Sequence, residues 1–125
     1  MLFDTDVVIW SLRGNKKAAA FLDLFETKRI SVITYMELAQ GARNKDELKA
    51  IKSFLEETGF YIVPLTENIG HRASIYVEQY SLKSGLLMAD ALIAATAAES
   101  AISLATANVK HFKDITDIDV RAFHP

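Results

Sequence analysis

The sequence predicts an α/β fold in which helices cover both faces of a mainly parallel sheet. Short β-branched runs alternate with longer helical stripes, as expected for strands joined by crossover helices. The chain has 125 residues, of which 50% are apolar, enough for a full core without disulfides. No Pro-, Gly- or Ser-rich linker and no internal repeat divides it, so residues 1–125 are expected to form one domain.

The spacing of apolar residues defines the elements of the first half. Met1–Phe3 is a short buried strand, and Lys16–Glu26 is an amphipathic helix with apolar residues at i, i+3, i+4 and i+7. Arg29–Ile33 suits a second strand, and Thr34–Ala42 suits a short helix. Asp46–Thr58 places its apolar residues on one face, which predicts another helix.

The second half continues this alternation. Phe60–Val63 is a third strand, and a helix follows it over Glu67–Leu82. Ala89–Ser100 is almost wholly apolar, which predicts a buried helix, and Ile102–Ala105 is a fourth strand. Asp119–Ala122 is expected to be a fifth strand. Ligands of such sheets bind beyond the carboxyl ends of the strands, so the functional site is expected at that edge.

The composition excludes several classes of protein. There is no cysteine, which excludes disulfide scaffolds and cysteine zinc sites. No apolar run approaches the roughly 20 residues that cross a bilayer, and Asp4 stands where a signal peptide carries basic charge. We therefore expect a cytoplasmic protein without membrane contact. The 14 Lys and Arg against 16 Asp and Glu give a net charge of −2, so binding nucleic acid requires a local basic patch.

Four polar residues stand where an apolar element stops or a helix begins: Asp4, Glu37, Asp90 and Asn108. We expect all four to face one crevice. Asp90 is the most informative, because apolar residues flank it on both sides and a buried carboxylate needs a partner. Three carboxylates without a fixed cation nearby indicate a divalent metal ion as the missing positive charge.

The available ligand atoms indicate which ion this is. Oxygen ligands, with no cysteine and no paired-histidine spacing, favour Mg²⁺ or Mn²⁺ over zinc or copper. Such an ion polarises a phosphoryl oxygen and activates water. The pattern therefore predicts hydrolysis of a phosphodiester or phosphate ester.

Helix capping is an alternative role for each of the four residues. Asp4 is able to cap a helix that starts in DVVIW, and Asn108 a turn over VKHF. Thr34 and Glu37 match the S/T-x-x-E capping box, in which Glu37 reaches back to the Thr34 amide. Asp90 suits an N-cap or first-turn position. Capping does not explain why four polar groups fall at the same edge of the sheet.

Four segments of the chain resemble a known family. LFDTDVVIW, TYMELAQGA, ADALIAATA and LATANVKHF, in this order and at these separations, resemble the PIN-domain ribonucleases, especially the VapC-type toxins. The resemblance covers nearly the whole chain and implies a three-layer α/β/α sandwich with an acidic pocket that binds Mg²⁺ or Mn²⁺ and hydrolyses RNA. It also implies a homodimer, and a small antitoxin partner whose extended tail occupies the acidic pocket, often with a basic side chain.

The resemblance assigns roles by motif position. It maps Asp4, Glu37 and Asp90 onto the three core acids of the family. Asn108 falls where many members carry a fourth aspartate, and its neutral amide contributes less charge. Asp6 is a candidate to compensate as an outer-sphere ligand, the alternative being a solvated or capping residue. Thr106 is a candidate to orient water or phosphate, the alternative being a hydroxyl bonded to backbone.

The expected mechanism follows from this mapping. Asp4 and Asp90 anchor the ion, Glu37 orients or deprotonates the attacking water, and Asn108 completes the surrounding layer. His111 is expected to be a satisfied histidine beside a packed aromatic residue. Basic side chains are expected to bind the RNA phosphates. The candidates, of which only some need take part, are Arg13, Lys16, Lys17, Arg43, Lys45 and Lys110. One apolar stripe is expected to form either a subunit interface or part of the core, and it consists of Tyr76, Tyr80, Leu82, Leu86 and Leu87.

Three other functions remain open on the sequence. Phe3–Val8 also fits the nucleophile loop of haloacid-dehalogenase-like phosphatases, with Asp4 as nucleophile and Asp6 as acid. That chemistry needs a downstream lysine, for which Lys110 is a poor candidate. A receiver-like signalling domain requires an aspartate directly after the third strand, where Pro64–Thr66 stand instead. A PIN module that only binds is the third alternative.

Overall fold

The computed structural model describes all residues, Met1–Pro125, as an α/β protein built on one five-stranded sheet. The strands are β1 (Leu2–Phe3), β2 (Lys28–Ser31), β3 (Phe60–Val63), β4 (Leu104–Thr106) and β5 (Val120–Ala122). Their order across the sheet is β3-β2-β1-β4-β5, and every neighbouring pair is parallel. The predicted sheet is confirmed, and the first strand of the chain lies at its centre.

Six α-helices connect the strands. They are α1 (Thr5–Leu12), α2 (Lys16–Asp23), α3 (Val32–Gln40), α4 (Lys45–Thr58), α5 (Glu67–Ser84) and α6 (Met88–Ser100). A short 3-10 helix, Val109–Phe112, follows β4. None of the helices combines the length and the apolar character needed to cross a membrane.

Two separate apolar cores lie on opposite faces of the sheet, as a three-layer sandwich requires. Leu2 and Leu104 point to one face, where they pack with buried residues of α5 and α6. Phe3 and Ala105, the next residues along the same strands, belong to the other core, which buries side chains of α1, α2, α3 and α4. The alternation of side chains along a strand thus lets the short β1 and β4 serve both cores.

The boundary between β2 and α3 differs from the sequence prediction. The strand ends at Ser31, and the predicted strand residues Val32 and Ile33 form the first turn of the helix. The Ser31 hydroxyl accepts a hydrogen bond from the backbone N–H of Ile33, 3.0 Å away, and so caps α3 three residues before Thr34. The apolar run RISVI suggested a longer strand because it lacks any break in hydrophobicity.

Other boundaries moved by one to three residues, and one of these shifts affects the site. The amphipathic helix predicted over Lys16–Glu26 ends at Asp23. The strand predicted over Ile102–Ala105 instead runs from Leu104 to Thr106. Thr106 is therefore the last residue of β4 and stands at the carboxyl edge of the sheet, directly beside the end of β1.

Candidate active site

Asp4 follows the central strand and is fixed between β1 and β4. Its backbone N–H donates to the Ala105 carbonyl at 2.8 Å, which continues the parallel ladder past the end of β1. Its carboxylate accepts hydrogen bonds from the Thr5 N–H at Oδ1 and from the Thr106 hydroxyl at Oδ2, both at 2.8 Å. The first of these bonds caps α1, so Asp4 is both a helix cap and a site residue.

Asp6 lies two residues further on, in the first turn of α1, and also faces the end of β4. Its Oδ2 accepts the Ala107 N–H at 3.1 Å and lies 3.3 Å from the Thr106 hydroxyl. Its Oδ1 is the one buried side-chain oxygen or nitrogen in the chain without a hydrogen-bond partner. Such an atom normally costs about 1–3 kcal/mol, and orphaned buried groups mark sites of ion or water binding. Asp6 is therefore partly buried and bonded to the segment after β4, and Asp4, not Asp6, caps α1.

Asp90 enters the site from α6 on the other face of the sheet. It lies in the first turn of the helix, which begins after Leu87 without any side-chain cap. The Asp90 side chain is 18% exposed, and its Oδ2 lies 3.5 Å from Nδ1 of His111. Of the two helix positions predicted for Asp90, the first turn is confirmed and the N-cap is wrong, because Leu87 holds that position and no side chain caps the helix.

Glu37 reaches the same crevice from the middle of α3. Its Oε1 accepts a hydrogen bond from the Thr5 hydroxyl at 2.7 Å. The capping-box interpretation is wrong, because Ser31 and not Thr34 caps the helix, and the Glu37 carboxylate reaches across to α1. The contact joins the residue directly after Asp4 to the second predicted core acid.

Burial, and for Asp4 and Asp90 also the neighbouring acids, disfavour ionisation of three carboxylates in this crevice. Burial, and then the negative charge of Asp6, raise the pKa of Asp4 from its usual 3.8 to about 7, against the hydrogen bonds from Thr106 and the Thr5 N–H. Burial raises the pKa of Asp6 and of Asp90 as well; the Asp90 shift includes repulsion from Glu37 and Asp6, opposed by His111. The charges of Asp6, Glu37 and Asp90 thus lie close enough at this edge of the sheet to affect the pKa of a neighbouring acid.

This arrangement fits a hard divalent cation. No three His, Asp or Glu side chains are grouped tightly enough to surround one ion directly. Octahedral Mg²⁺ keeps several waters and takes only one or two carboxylates, so a looser group suits it. Burial of the charge raises the pKa of Asp4, Asp6 and Asp90, nearby acids add to the shifts of Asp4 and Asp90, and a bound cation would offset this cost.

The fourth predicted site residue, Asn108, is exposed and lies after the end of β4. It precedes the 3-10 helix, but its side chain makes no capping bond, so the predicted cap at VKHF is absent. Its backbone N–H donates to the Thr106 hydroxyl at 2.9 Å. The alternative of a buried hydroxyl bonded to backbone is thus confirmed for Thr106, and the same hydroxyl also donates to the Asp4 carboxylate, which the sequence did not predict.

Three side chains make contacts in the site that the sequence did not predict. The predicted packed aromatic is confirmed, because Phe112 is buried, whereas the His111 side chain is 48% exposed and its Nδ1 lies 3.5 Å from Oδ2 of Asp90. Thr5 and Thr34 form a hydroxyl contact at 2.9 Å next to Glu37. His111 follows Asn108 by three residues, and this spacing would have indicated that it lies near the site. No local pattern distinguishes Thr5 from other threonines.

A groove of about 520 Å³ runs away from the crevice between α1, α3 and α4. Apolar side chains form much of its lining, including Ile9, Leu12 and Leu38. Glu37 lies at the groove as well, and two basic residues of the predicted set, Arg13 and Arg43, line it too. The groove therefore joins an apolar surface to the carboxylates of the site.

Comparison with known proteins gives consistent matches. Residues 1–118 match the model of the PIN domain. Two Mycobacterium tuberculosis proteins, named Ribonuclease VapC19 and Ribonuclease VapC10, are each 34% identical to this chain. The alignments cover 94% of this chain and 95% of VapC19, and 90% of this chain and 85% of VapC10.

A solved structure supports the same relationship. A chain of a toxin-antitoxin complex from Klebsiella pneumoniae superposes with a TM-score of 0.79 at 30% identity, covering 94% of this chain and 93% of that one. The architecture, the placement of the acids and these matches agree. The chain belongs to the PIN-domain family.

Proposed function

We propose that this chain is a metal-dependent endoribonuclease that hydrolyses RNA phosphodiester bonds and serves as the toxin of a toxin–antitoxin pair. The convergence of Asp4, Asp6, Glu37 and Asp90 at one sheet edge carries the proposal. The relatives named ribonucleases and the solved toxin-antitoxin complex support it. A haloacid-dehalogenase-like phosphatase or a receiver-like domain belongs to a different family, so those alternatives are set aside.

The core acids have distinct roles in the proposed reaction. Asp4 and Asp90 hold Mg²⁺ or Mn²⁺, because each presents a largely buried carboxylate beside another acid. Glu37, the most exposed of the acids, orients the attacking water and accepts its proton. When bound, the ion stabilises negative charge that develops on the phosphate oxygens and lowers the pKa of water.

Asp6 is proposed to supply the charge that Asn108 lacks. Its Oδ2 is held by Ala107 and Thr106, while its buried Oδ1 has no hydrogen-bond partner in the protein. Asn108, at the exposed rim, contributes a neutral amide to the same outer layer. This division explains how the site keeps four acids although the usual fourth position holds an asparagine.

The RNA backbone is proposed to contact basic residues near the crevice. Arg13 and Arg43 line the groove beside Glu37, and Lys110 lies two residues after Asn108. All three are exposed, as phosphate contacts require. A net charge of −2 leaves little attraction from the rest of the molecule, so these local charges carry the binding of phosphate.

The groove between α1, α3 and α4 is proposed as the binding site of the antitoxin. A peptide with apolar residues for Ile9, Leu12 and Leu38, and a basic side chain for Glu37, matches its lining. Replacing the exposed Ala50 of the lining by Arg should weaken antitoxin binding measured by calorimetry, while Ala20→Arg on α2 should not. Equal binding of both variants would contradict this placement. Both partners are proposed to act in the cytoplasm.

A homodimer is proposed through the connection between α5 and α6. Leu82, Leu87 and Met88 are 98%, 66% and 74% exposed there and form an apolar surface. Two residues of the predicted stripe, Tyr76 and Leu86, are buried and belong to the core. The apolar surface defined by Leu82, Leu87 and Met88 is expected to contact a second copy of the chain.

The nuclease proposal is tested by sequencing the 5′ ends of total RNA after incubation with purified, antitoxin-free protein and Mn²⁺ or Mg²⁺. We expect discrete new ends that disappear with EDTA. Asp90→Asn should lower cleavage by more than the roughly 10- to 100-fold that loss of an outer-shell contact costs. Asp23→Asn, an exposed acid on α2, is the matched control and should cleave normally. Metal-dependent cleavage by Asp90→Asn at the wild-type rate would contradict the proposal.

A further inference from the structure

Three side chains form a chain of hydrogen bonds at the edge of the crevice. The Thr5 hydroxyl lies 2.9 Å from the Thr34 hydroxyl and 2.7 Å from Oε1 of Glu37. Thr34 and Glu37 are three residues apart on α3, so they share one face of that helix, and Thr5 is the first residue of α1. The contacts therefore link the helix that follows β1 to the helix that follows β2.

The direction of the two bonds follows from the chemistry of the groups. An ionised carboxylate only accepts, so the single hydroxyl proton of Thr5 must go to Glu37. The Thr34 hydroxyl then donates to the oxygen of Thr5, which is its hydrogen-bond partner in the structure. Each hydroxyl in this arrangement is used once as a donor, and no proton is left without an acceptor.

The three residues differ sharply in exposure. Thr34 is fully buried at 0% exposure, Thr5 is half-buried and Glu37 is exposed. An exposed glutamate otherwise samples several rotamers, and fixing such a side chain costs conformational entropy. The bond from Thr5 is a hydrogen bond to a charged group, which is among the stronger kinds in proteins, and Thr5 itself is β-branched with a restricted side-chain rotation.

We propose that Thr5 is a positioning residue for Glu37 and that Thr34 fixes the orientation of the Thr5 hydroxyl. This inference rests on the proposed nuclease function, in which Glu37 orients the attacking water and accepts its proton. The bond occupies Oε1 and leaves Oε2 without a bond from the protein, so one defined oxygen of Glu37 is presented to the crevice. The order Asp4-Thr5-Asp6 thus places a positioning hydroxyl between two acids of the site.

The kinetic test uses substitutions that keep the shape of the side chain. Thr5→Val removes the hydroxyl and should lower kcat by roughly 10- to 100-fold with little change in KM, as expected for loss of one hydrogen bond to a charged group. Thr5→Ser restores the hydroxyl and should restore kcat. Thr96→Val removes another buried hydroxyl, bonded to the Leu92 carbonyl of α6, and is the matched control. Equal kcat for Thr5→Val and Thr96→Val would overturn the proposal.

A double-mutant cycle separates positioning of Glu37 from an effect on the adjacent Asp4. In a Glu37→Ala background, Thr5→Val should change the residual single-turnover rate by no more than about twofold, since its target is gone. The same loss in both backgrounds would show that Thr5 acts elsewhere, and would overturn the proposal.

The mobility of Glu37 gives a readout that does not depend on RNA cleavage. NMR should find the Glu37 side chain ordered in the wild type and, in Thr5→Val, mobile with an order parameter below about 0.6. Thr34→Val should have a weaker effect in the same direction. If Glu37 stays ordered in both variants, the positioning role fails whether or not the protein cuts RNA. If mobility rises and the wild type cuts nothing, the positioning holds and only the nuclease proposal fails.

Discussion

Asp4 caps α1, but its ionised carboxylate destabilises the folded protein. Its hydrogen bonds with Thr5 and Thr106 do not offset the burial of its charge beside Asp6, so its pKa rises to about 7. The folded state therefore holds the proton more tightly than the unfolded state does. The stabilising contribution of the neutral carboxyl is complete below the usual 3.8 and is lost as the pH rises through about 7.

The raised pKa of Asp4 predicts how the Asp4→Asn substitution changes the free energy of unfolding at different pH values. Without divalent ions, the variant and the wild type should have similar free energies of unfolding near about pH 4, and the variant should be more stable at about pH 8, by at most about 4 kcal/mol. Urea denaturation in EDTA measures the difference. Asp23→Asn, at an exposed position, should show no such trend. A variant less stable than the wild type at the higher pH would contradict the assigned cause.

The residues that the sequence predicted are those whose neighbours are unusual for their type. Asp90 was identified because apolar residues flank it, and Asp4 because it ends an apolar strand. Thr5 and His111 have no such local contrast, and their partners Glu37 and Asp90 lie 32 and 21 residues away in the chain. Their roles depend on how α1, α3 and α6 meet at the sheet edge, which local patterns do not encode.

At the scale of elements, helix capping explains why the starts of α4 and α5 were predicted closely and why the start of α3 was not. Asn44 caps α4 and Thr66 caps α5 through side-chain bonds, near the predicted helix starts. For α3 the sequence offers the capping box at Thr34, whereas the structure caps the helix at Ser31, the last residue of β2. The helix α6 has no side-chain cap, which leaves its first-turn acid for the site.

Two glycines give a prediction about helix stability. Gly59 ends α4 with a left-handed φ of +81°, whereas Gly70 lies inside α5. A β-carbon added at either position meets no heavy atom within 4 Å, so packing does not enter the comparison. Gly70→Ala should stabilise the protein by about 0.5–1 kcal/mol, and Gly59→Ala should destabilise it by about 1 kcal/mol, because only the second strains the backbone. Opposite shifts of the urea midpoint test this; shifts of the same sign would refute it.

At the scale of the whole molecule, the site exists because distant segments meet at the centre of the sheet. The Thr106 hydroxyl and the Asp4 carboxylate that it contacts are 102 residues apart. The order of strands, with β1 between β2 and β4, brings α1, α3 and the segment after β4 to the same edge. Periodicity predicted the parallel sheet and the two helical layers, while the ordered motifs identified which edge residues belong together.

The remaining whole-molecule question is assembly, for which the apolar surface defined by Leu82, Leu87 and Met88 makes a specific prediction. Light scattering should give the wild type a mass of twice 13.9 kDa, and the double variant Leu82→Glu, Leu87→Glu a mass of 13.9 kDa. Charges at these positions would have to be buried without partners in the dimer, which costs several kcal/mol.

The isolated Leu24, 68% exposed at the end of α2, provides the matched control for this measurement. Leu24→Glu should remain a dimer, because an exposed leucine outside the apolar surface is an ordinary feature of protein surfaces. Both substitutions are at exposed positions, so the fold should survive, and unchanged circular dichroism would confirm it. A wild type that is monomeric at micromolar concentration, or a dimer that survives both glutamates, would place any contact between copies elsewhere on the molecule.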